Sequence, residues 1–150
     1  MRWCLALICL WLALPGRGQD LVCPLTDDQG NCVRILACIG DGGLWFNGRA
    51  FGRGVGTLAG VVNSGAVCEG TWTSRNLLGL GQADVACDDG MRVTVYYTYQ
   101  EEYTGTAIGR GRSNRGEWVK AWSGLHVLDY LERETGEVAL PCGEATIPIS

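Results

Sequence analysis

Basic residues are few and scattered in this sequence of 150 residues. Lys120 is its single lysine, and the arginines are dispersed, several of them beside glycines in predicted turns. Nucleic acids and anionic membranes bind clustered Lys and Arg side chains. The sequence therefore predicts neither of them as a partner.

Histidine is equally scarce, and the motifs of metal and phosphate sites are missing. His126 is the only histidine and no CxxC pair is present, which disfavours a zinc site. The segments DDQGN and CDDG lack the alternating oxygen ligands of a calcium loop. No GK[ST] follows the glycine-rich stretches, which disfavours a phosphate-binding loop. We expect no metal, no cofactor and a structural role for His126.

Long apolar runs are absent after the first 18 residues. Residues 1–18 combine a basic start, the apolar run WCLALICLWLALP, and Gly16 and Gly18 at the minus-three and minus-one positions of a cleavage site. This pattern is typical of a signal peptide, and the run is shorter than the roughly 20 residues of a spanning helix. We predict a mature start at Gln19, one domain over residues 19–150 without an integral membrane segment, and export to the periplasm or cell exterior.

Cleavage would also make the protein more acidic. Two of the 12 basic residues and none of the 16 acidic residues lie in the signal peptide, so the formal net charge changes from −4 to −6. A protein of this charge repels polyanions, which strengthens the argument against nucleic acid.

The cysteines that remain after cleavage are even in number, as is typical of a disulfide-bonded exported domain. They are Cys23, Cys32, Cys38, Cys68, Cys87 and Cys142. Oxidation would leave none of them as a catalytic nucleophile. We predict three disulfides. For the four cysteines outside the central hairpin, we prefer the pairs Cys23–Cys32 and Cys38–Cys142.

Two segments in the middle of the chain alternate between apolar and polar residues, as half-buried strands do. They are CEGTW, which starts at Cys68, and QADVAC, which ends at Cys87. If the chain turns around residues 76–79, Cys68 lies opposite Cys87 and Trp72 lies opposite Ala83. Cross-strand neighbours are close enough for a disulfide. We therefore predict a hairpin closed by Cys68–Cys87.

The length of the next turn, DDG, is predicted from the requirement that the apolar residues of its two flanking strands share one face. A three-residue loop with Gly90 in the left-handed conformation places Val85 opposite Val93. The residues that this register keeps on the core face are Val95, Tyr97 and Tyr99. A two-residue turn would expose large apolar side chains, at roughly 1.5–3 kcal/mol each.

A nine-residue pattern occurs twice, as FNGRAFGRG at residues 46–54 and as YTGTAIGRG at residues 103–111. In both copies small residues occupy alternate positions; they are Gly48, Ala50, Gly52, Gly54, Gly105, Ala107, Gly109 and Gly111. One face of each strand is thus nearly bare, so another backbone or a large ring can lie against it. The candidate rings are those of Trp45, Trp72, Trp118 and Trp122. The central hairpin has a related layout. We predict an all-β, antiparallel meander of about three degenerate hairpin repeats, in which the repeat is a packing device.

The layout of aromatic-x-Gly, Gly-x-Gly and then Asn or Asp with Gly resembles the hairpin units of MORN repeat proteins. The resemblance covers roughly residues 45–124 and implies an interaction scaffold. The chain is also similar to small secreted proteins of Gram-negative bacteria. That second resemblance implies a periplasmic or secreted location.

The C-terminal segment LHVLDYLERETGEVALPCG is compatible with two structures. It forms either a strand, a turn at Gly136 and a second strand, or a short helix through LDYLERE. Because residues 126–131 include β-branched and aromatic side chains, we predict the strands.

Three pairs of adjacent acids are the candidates for general acid–base chemistry. They are Asp27/Asp28, Asp88/Asp89 and Glu101/Glu102. Adjacent residues on a strand point to opposite faces, whereas glycoside hydrolysis needs two carboxylates that flank the bond from separate elements. We interpret these pairs as solvated turn residues. A carbohydrate-active hydrolase, with a Glu/Asp pair assembled by the fold, is the alternative function.

The segment YYTYQEEYTG gives the better functional signal. Tyr96 falls on the face opposite the predicted core, and Glu101, Glu102 and Tyr103 follow it. If that face is open, these four residues form a polar, rigid contact surface for a glycan or a basic protein; otherwise a second layer covers it. The leading prediction is a non-enzymatic, exported binding or interaction module that acts on an envelope protein or glycan.

Overall fold

The structure is a computed structural model and describes residues 32–149. Within this range the chain forms ten strands and one helix. They are β1 (Cys32–Ile39), β2 (Leu44–Arg53), β3 (Val55–Val62), β4 (Val67–Thr73), β5 (Gly81–Cys87), β6 (Arg92–Gln100), β7 (Ala107–Ser113), β8 (Trp118–Gly124), α1 (Val127–Thr135), β9 (Ala139–Cys142) and β10 (Ala145–Pro148).

Strands β1 to β8 form a closed antiparallel barrel, in which each strand pairs with the next and β8 pairs with β1. The closing pair sets Ile35 opposite Ser123 and Ala37 opposite Ala121. The prediction of an all-β, antiparallel fold is thus confirmed, but the predicted meander of three hairpin repeats is wrong. Closure joins the first and last strands and removes the two free edges that an open meander would expose.

Alternate residues of the barrel strands point inward and form the first hydrophobic core. Among its buried members are Ile35, Phe46, Leu58, Met91, Val95 and Val119. This period of two is the pattern from which the strands were predicted.

A second hydrophobic core lies outside the barrel, against β1 and β8. Leu36 of β1 and Trp122 of β8 form one cluster with Leu131 of α1 and Leu140 of β9. All four side chains are almost completely buried. Burial of one such side chain stabilises a fold by about 1.5–3 kcal/mol, so the layer of α1, β9 and β10 is an integral part of the domain.

The predicted strand over residues 126–131 is wrong, because this segment is helical. α1 ends at Gly136, which has a left-handed φ of 82° and donates its N–H to a carbonyl of the last turn. Val127 and Leu131 are four residues apart and share one helix face, which is fully buried in the outer core. Burial of this face outweighs the strand preference of the individual residues. The strand predicted after Gly136 is present as β9.

The register of the central hairpins is confirmed. Cys68 pairs with Cys87 across β4 and β5, and the two cysteines form a disulfide. Gly90 has a φ of 85° in the turn that follows. The three-residue loop places Val85 opposite Val93, as predicted.

The prediction that Tyr99 lies on the core face is wrong. The pairing of β6 with β7 shifts register between Tyr97 and Tyr99. An extra residue in one strand interrupts the alternation of faces. Tyr97 therefore points inward, while Tyr99 pairs with Ile108 of the outer core and is 59% exposed.

The small residues of the repeated pattern let rings lie against the backbone, as predicted, but the rings belong to Phe46 and Tyr97 and not to the tryptophans that we expected. The Phe46 ring covers Gly48 and Gly60, where a Cβ atom would collide with it. Tyr97 lies in the same way against Gly109. The two copies of the pattern build β2 and β7 of the barrel, together with the adjoining turn and loop, rather than units of an open sheet.

The Cys38–Cys142 disulfide is also confirmed and joins β1 to β9. Cys23 lies outside the described residues, so the Cys23–Cys32 pairing remains a prediction. The predicted signal peptide over residues 1–18 lies outside them as well. Among the described residues, no helix is long and apolar enough to cross a membrane.

We expect the Cys38–Cys142 disulfide to stabilise the protein more than Cys68–Cys87. The two bonds span 104 and 19 residues, and loops of these lengths correspond to about 4.7 and about 3.2 kcal/mol in the chain-entropy treatment. Replacing both cysteines of a pair by alanine should therefore lower the free energy of unfolding more at Cys38 and Cys142. Urea unfolding of the two double variants measures the difference. Equal losses, or the reverse order, would contradict this expectation.

Replacing Gly60 by alanine should destabilise the barrel. The added Cβ would meet the Phe46 ring and the backbone of β2, and overpacking of this kind costs about 1–3 kcal/mol. Gly42→Ala is the matched control, because nothing lies within 4 Å of a Cβ atom at that position. The thermal unfolding midpoint should fall for Gly60→Ala and stay constant or rise slightly for Gly42→Ala. Equal midpoints would show that the interior has room for the methyl group.

Candidate functional site

The two ends of the barrel are filled differently. Beneath the β3–β4 and β5–β6 turns, Phe46, Val62, Ala66 and Met91 are buried and fill the interior. At the opposite end a cavity of about 370 Å³ opens to solvent. This cavity, called the mouth below, is open to solvent and is large enough for a small ligand to enter.

The lining of the mouth is apolar or uncharged. Its apolar and aromatic members are Val33, Ile35, Ala50, Trp72, Ala83, Tyr97, Tyr99 and Ala107. Its polar members are Thr73, Ser74, Gln82, Thr98, Gln100 and Ser123. Among the described residues no charged side chain lines the mouth, which suits a neutral molecule with both apolar and polar groups.

Trp72 forms a fixed wall of the mouth. Its indole Nε1 donates a hydrogen bond to the Phe51 carbonyl oxygen over 2.9 Å. The indole nitrogen also lies where a side chain at Gly56 would be. The ring is therefore held in place before any ligand enters.

Tyr97 lies two strands away from Trp72 and lines both the mouth and a smaller cavity beneath it. Burial raises the pKa of its hydroxyl above the usual value, so the group stays protonated at neutral pH. Within residues 32–149 this hydroxyl has no hydrogen-bond partner. No buried side-chain N or O atom among the described residues lacks a partner, so this hydroxyl is accessible from the mouth and can donate to a ligand that carries an acceptor atom.

The interior beneath the mouth is nearly full. The space left there is about 40 Å³, and among its neighbours are Ile35, Phe46, Leu58 and Met91. Small apolar cavities of this kind stay dry. A ligand would therefore occupy the mouth and reach no deeper than Tyr97.

The loop over residues 101–106 adjoins the mouth and is held on two sides. Within the loop, the Glu101 carboxylate accepts hydrogen bonds from the Thr104 hydroxyl, at 2.6 Å, and from the N–H groups of Thr104 and Tyr103. These bonds, the Thr104 hydroxyl first, lower the pKa of Glu101. From α1, Arg133 lies 4.0 Å from Glu101 and 4.9 Å from the centre of the Tyr103 ring. The outer layer thus braces one side of the rim.

The residues of the predicted contact surface lie in two places. Tyr96 is on the outer face of β6, 40% exposed, and Glu101, Glu102 and Tyr103 are in the loop beyond the end of that strand. Four residues lie between Tyr96 and Glu101, so the two are five residue steps apart along the strand direction, about 16 Å. The side chain of Glu101 is only 12% exposed and holds the loop, whereas Tyr103 is exposed.

The candidate acids and the histidine have local structural contacts. Asp88 and Asp89 each accept a hydrogen bond from a backbone N–H, at the start of β4 and in the β5–β6 turn, whereas residues 27–28 lie outside the described range. His126, at the start of α1, has its Nδ1 3.2 Å from a carboxylate oxygen of Asp129. In the described part of the chain, no group of three or more His, Cys, Asp or Glu side chains could hold a metal ion.

The mouth was not predicted from the sequence. Trp72 and Tyr97 were assigned correctly to the inward face, but as core residues. A usable signal was the placement of small residues, since Ala50 and Ala107 meet at the same end of the closed barrel. That coincidence becomes visible only when β1 and β8 are known to pair.

No protein-family model matches the sequence, and no curated protein matches it. Among solved structures, a redesigned β-barrel, mFAP0, bound to DFHBI has 10% identity and a TM-score of 0.49, over 64% of this chain and 97% of that chain. A de novo designed, fluorescence-activating β-barrel has 13% identity and a TM-score of 0.49, over 63% of this chain and 91% of that chain. Nothing about ligands or function is carried over from them to this chain.

The raised pKa of Tyr97 predicts a loss of stability at alkaline pH. Below the pKa of about 10 of an unfolded tyrosine, the hydroxyl is protonated in both states and adds no pH dependence. Above that pH the unfolded state releases the proton first, so the free energy of unfolding falls as the pH rises. Tyr97→Phe should reduce this fall, whereas Tyr103→Phe, at an exposed tyrosine, should not. Denaturant unfolding on either side of pH 10 measures it, and identical profiles for wild type and Tyr97→Phe would contradict it.

Proposed function

We propose that the protein is an exported, non-enzymatic binding barrel that takes a small, neutral, planar ligand into the mouth. The observation that carries this proposal is the Tyr97 hydroxyl, which lines the cavity and has no hydrogen-bond partner within residues 32–149. Because no buried side-chain N or O atom in the described part of the chain lacks a partner, this hydroxyl is open to the mouth, and it is free to donate a hydrogen bond to an acceptor atom of a ligand.

The size and lining of the mouth support the same proposal. Its volume of about 370 Å³ falls in the range of about 300–1,000 Å³ that is common for small-molecule sites. The walls are mostly apolar, with a few uncharged polar groups near the rim. Such a site binds by burial of apolar surface and uses the polar groups to orient the ligand.

The two aromatic residues suggest the shape of the ligand. Trp72 is fixed by its hydrogen bond to Phe51, and Tyr97 is fixed against Gly81 and Gly109. Rigid aromatic walls favour a flat, conjugated or aromatic molecule. The donor at Tyr97 favours a carbonyl or ring nitrogen on the edge of that molecule.

Export is supported by the disulfides. Cys38–Cys142 and Cys68–Cys87 are both formed, and structural disulfides persist in oxidising compartments. Together with the predicted signal peptide, they support a protein that works in the periplasm or outside the cell. An envelope protein or glycan remains a proposed partner for its outer surface.

The hydrolase alternative gains no support at the mouth. Two carboxylates would have to face each other about 5–9.5 Å apart in a cleft, and no carboxylate lines the mouth within the described range. Glu101, the acid at the adjoining loop, already accepts three hydrogen bonds from its own loop. The non-enzymatic function is therefore the one that we propose.

Narrowing the mouth should abolish binding of a neutral aromatic ligand. Ala107 lines the mouth, so Ala107→Leu adds three carbons to the space that the ligand would occupy. Ala86→Leu is the matched control, because Ala86 is exposed on β5 and does not line the mouth. The probe is a panel of neutral planar compounds such as coumarin, with coumarin-3-carboxylate as the charged counterpart. Binding is measured by NMR shifts of the Trp72 and Tyr97 resonances.

Wild type and Ala86→Leu should bind members of the neutral panel, and Ala107→Leu should not. Tyr97→Phe should weaken binding about 2- to 13-fold, the equivalent of one hydrogen bond of about 0.5–1.5 kcal/mol. The carboxylate should bind more weakly than coumarin, because no positively charged side chain of residues 32–149 lines the mouth. Absence of shifts with the whole panel, or equal binding by Ala107→Leu, would refute the proposal.

A further inference from the structure

The outer face of β6, β7 and β8 gathers basic and aromatic side chains that are scattered in the sequence. Tyr96 pairs with Arg110, and Arg110 pairs with Lys120 on the next strand. In the neighbouring row, Arg112 pairs with Trp118. These five residues are called the basic face below. All of them point away from the barrel core.

Within the described part of the chain, the basic residues of this face have no anionic partner. Arg110 and Lys120 lie directly opposite each other, and like charges in that position destabilise a sheet. Within residues 32–149 the side chains of Arg110, Arg112 and Lys120 make no ion pair and no hydrogen bond. The nearest carboxylate on β5, Asp84, is already bonded to Thr94 at 2.7 Å. The positive charge of the face is therefore uncompensated.

A second opposed pair of basic residues in the barrel shows the contrast. Arg34 and Arg49 also face each other, across β1 and β2. Both donate to Asn47 Oδ1 at 3.3 Å, and Arg49 donates to the Gly48 carbonyl at 2.9 Å. The fold thus supplies acceptors to that pair, whereas the basic face leaves its donors to solvent.

The aromatic residues hold the charged groups in place and remain accessible themselves. The Arg112 guanidinium lies 4.4 Å from the centre of the Trp118 ring, and the Lys120 ammonium lies 5.0 Å from that of Trp122. Trp118 is nevertheless 67% exposed. A large exposed ring beside stacked cations is unusual for a surface without a partner.

A cleft runs along one side of the basic face. Its volume is about 340 Å³, and Arg110, Trp118 and Lys120 form one wall, while Pro141 and Gly143 beside the β9–β10 turn form another. Asp41 is the one carboxylate among the described residues that line it. Two cationic side chains against one carboxylate leave the cleft positive, on a protein whose predicted mature charge is −6.

We propose that the basic face binds an anionic polysaccharide whose sugars carry carboxylate groups. Arginine guanidinium groups match carboxylates through paired hydrogen bonds, and the exposed Trp118 ring offers an apolar surface for the C–H face of a sugar. Arg110 and Arg112 are two residues apart on one strand, about 7 Å, so they contact successive charged groups of an extended chain. This site is separate from the mouth and independent of the ligand proposed there.

The test compares two double variants that lose the same charge. Arg110→Gln/Arg112→Gln removes two charges from the basic face. Arg53→Gln/Arg75→Gln is the matched control, since both of these arginines are exposed and lie at the open end of the barrel. Binding of the oxidised protein to immobilised polygalacturonate is measured by biolayer interferometry, with neutral dextran, single-stranded DNA and phosphatidylglycerol vesicles as comparison surfaces.

Wild type should bind polygalacturonate and not dextran, and its affinity should fall as salt increases because exposed charges are screened. The Arg110/Arg112 variant should bind at least tenfold more weakly, and the Arg53/Arg75 control should change less than twofold. Trp118→Ala, which removes a side chain that is 67% exposed, should weaken binding severalfold without altering the net charge. No binding by wild type, equal losses in both double variants, or tighter binding to DNA or vesicles than to polygalacturonate would overturn the proposal.

Discussion

Strand β1 is the element on which the rest of the structure depends, because it is buried on both faces and paired along both edges. Its inward residues Ile35, Ala37 and Ile39 belong to the barrel core, and its outward residues Leu36 and Cys38 belong to the outer core. β2 pairs along one edge and β8 along the other. The same eight residues therefore close the barrel and anchor the layer of α1 and β9. A strand with only one apolar face could have closed the barrel. It could not have anchored the outer layer, because that layer needs an apolar surface on which to pack.

The size of the inward side chains decides where the barrel is solid and where it is open. Near the filled end, the Phe46 ring lies against Gly48 and Gly60, so one large ring fits where two glycines leave room. At the mouth the neighbouring inward positions are Ala50 and Ala107, and no comparable ring from residues 32–149 fills the space between them. The barrel is therefore rigid beneath Tyr97 and hollow above it. A rigid floor with a pre-positioned donor limits the entropy lost when a ligand binds.

The sequence predicted what depends on neighbours along the chain and missed what depends on distant ones. The hairpin from Cys68 to Cys87 followed from alternation and from the reach of a disulfide, and both are local. Closure of the sheet requires β1 to meet β8, and nothing in either segment specifies a partner so far away in sequence. The same limit applies to α1, where Val127 and Leu131 become a helix face only because the outer core is there to bury them. The bulge before Tyr99 reversed the direction of the side chains at the end of β6, and the pattern of apolar residues does not indicate it. The mouth was missed because closure of the barrel was not predicted, since the lining of the mouth comes from strands on both sides of the β1–β8 pairing.

The distribution of charge on the surface also depends on the pairing of strands that are distant in sequence. Along the chain, Arg110, Arg112 and Lys120 are separated by polar and glycine residues, and no basic run is present. Antiparallel register places them side by side, because residues on one face of adjacent strands lie about 5 Å apart whatever their separation in sequence. An acidic protein can therefore carry a positive surface that its composition conceals. A negative net charge argues against anionic partners for the molecule as a whole. A partner contacts only one face, however, and the basic face carries positive charge.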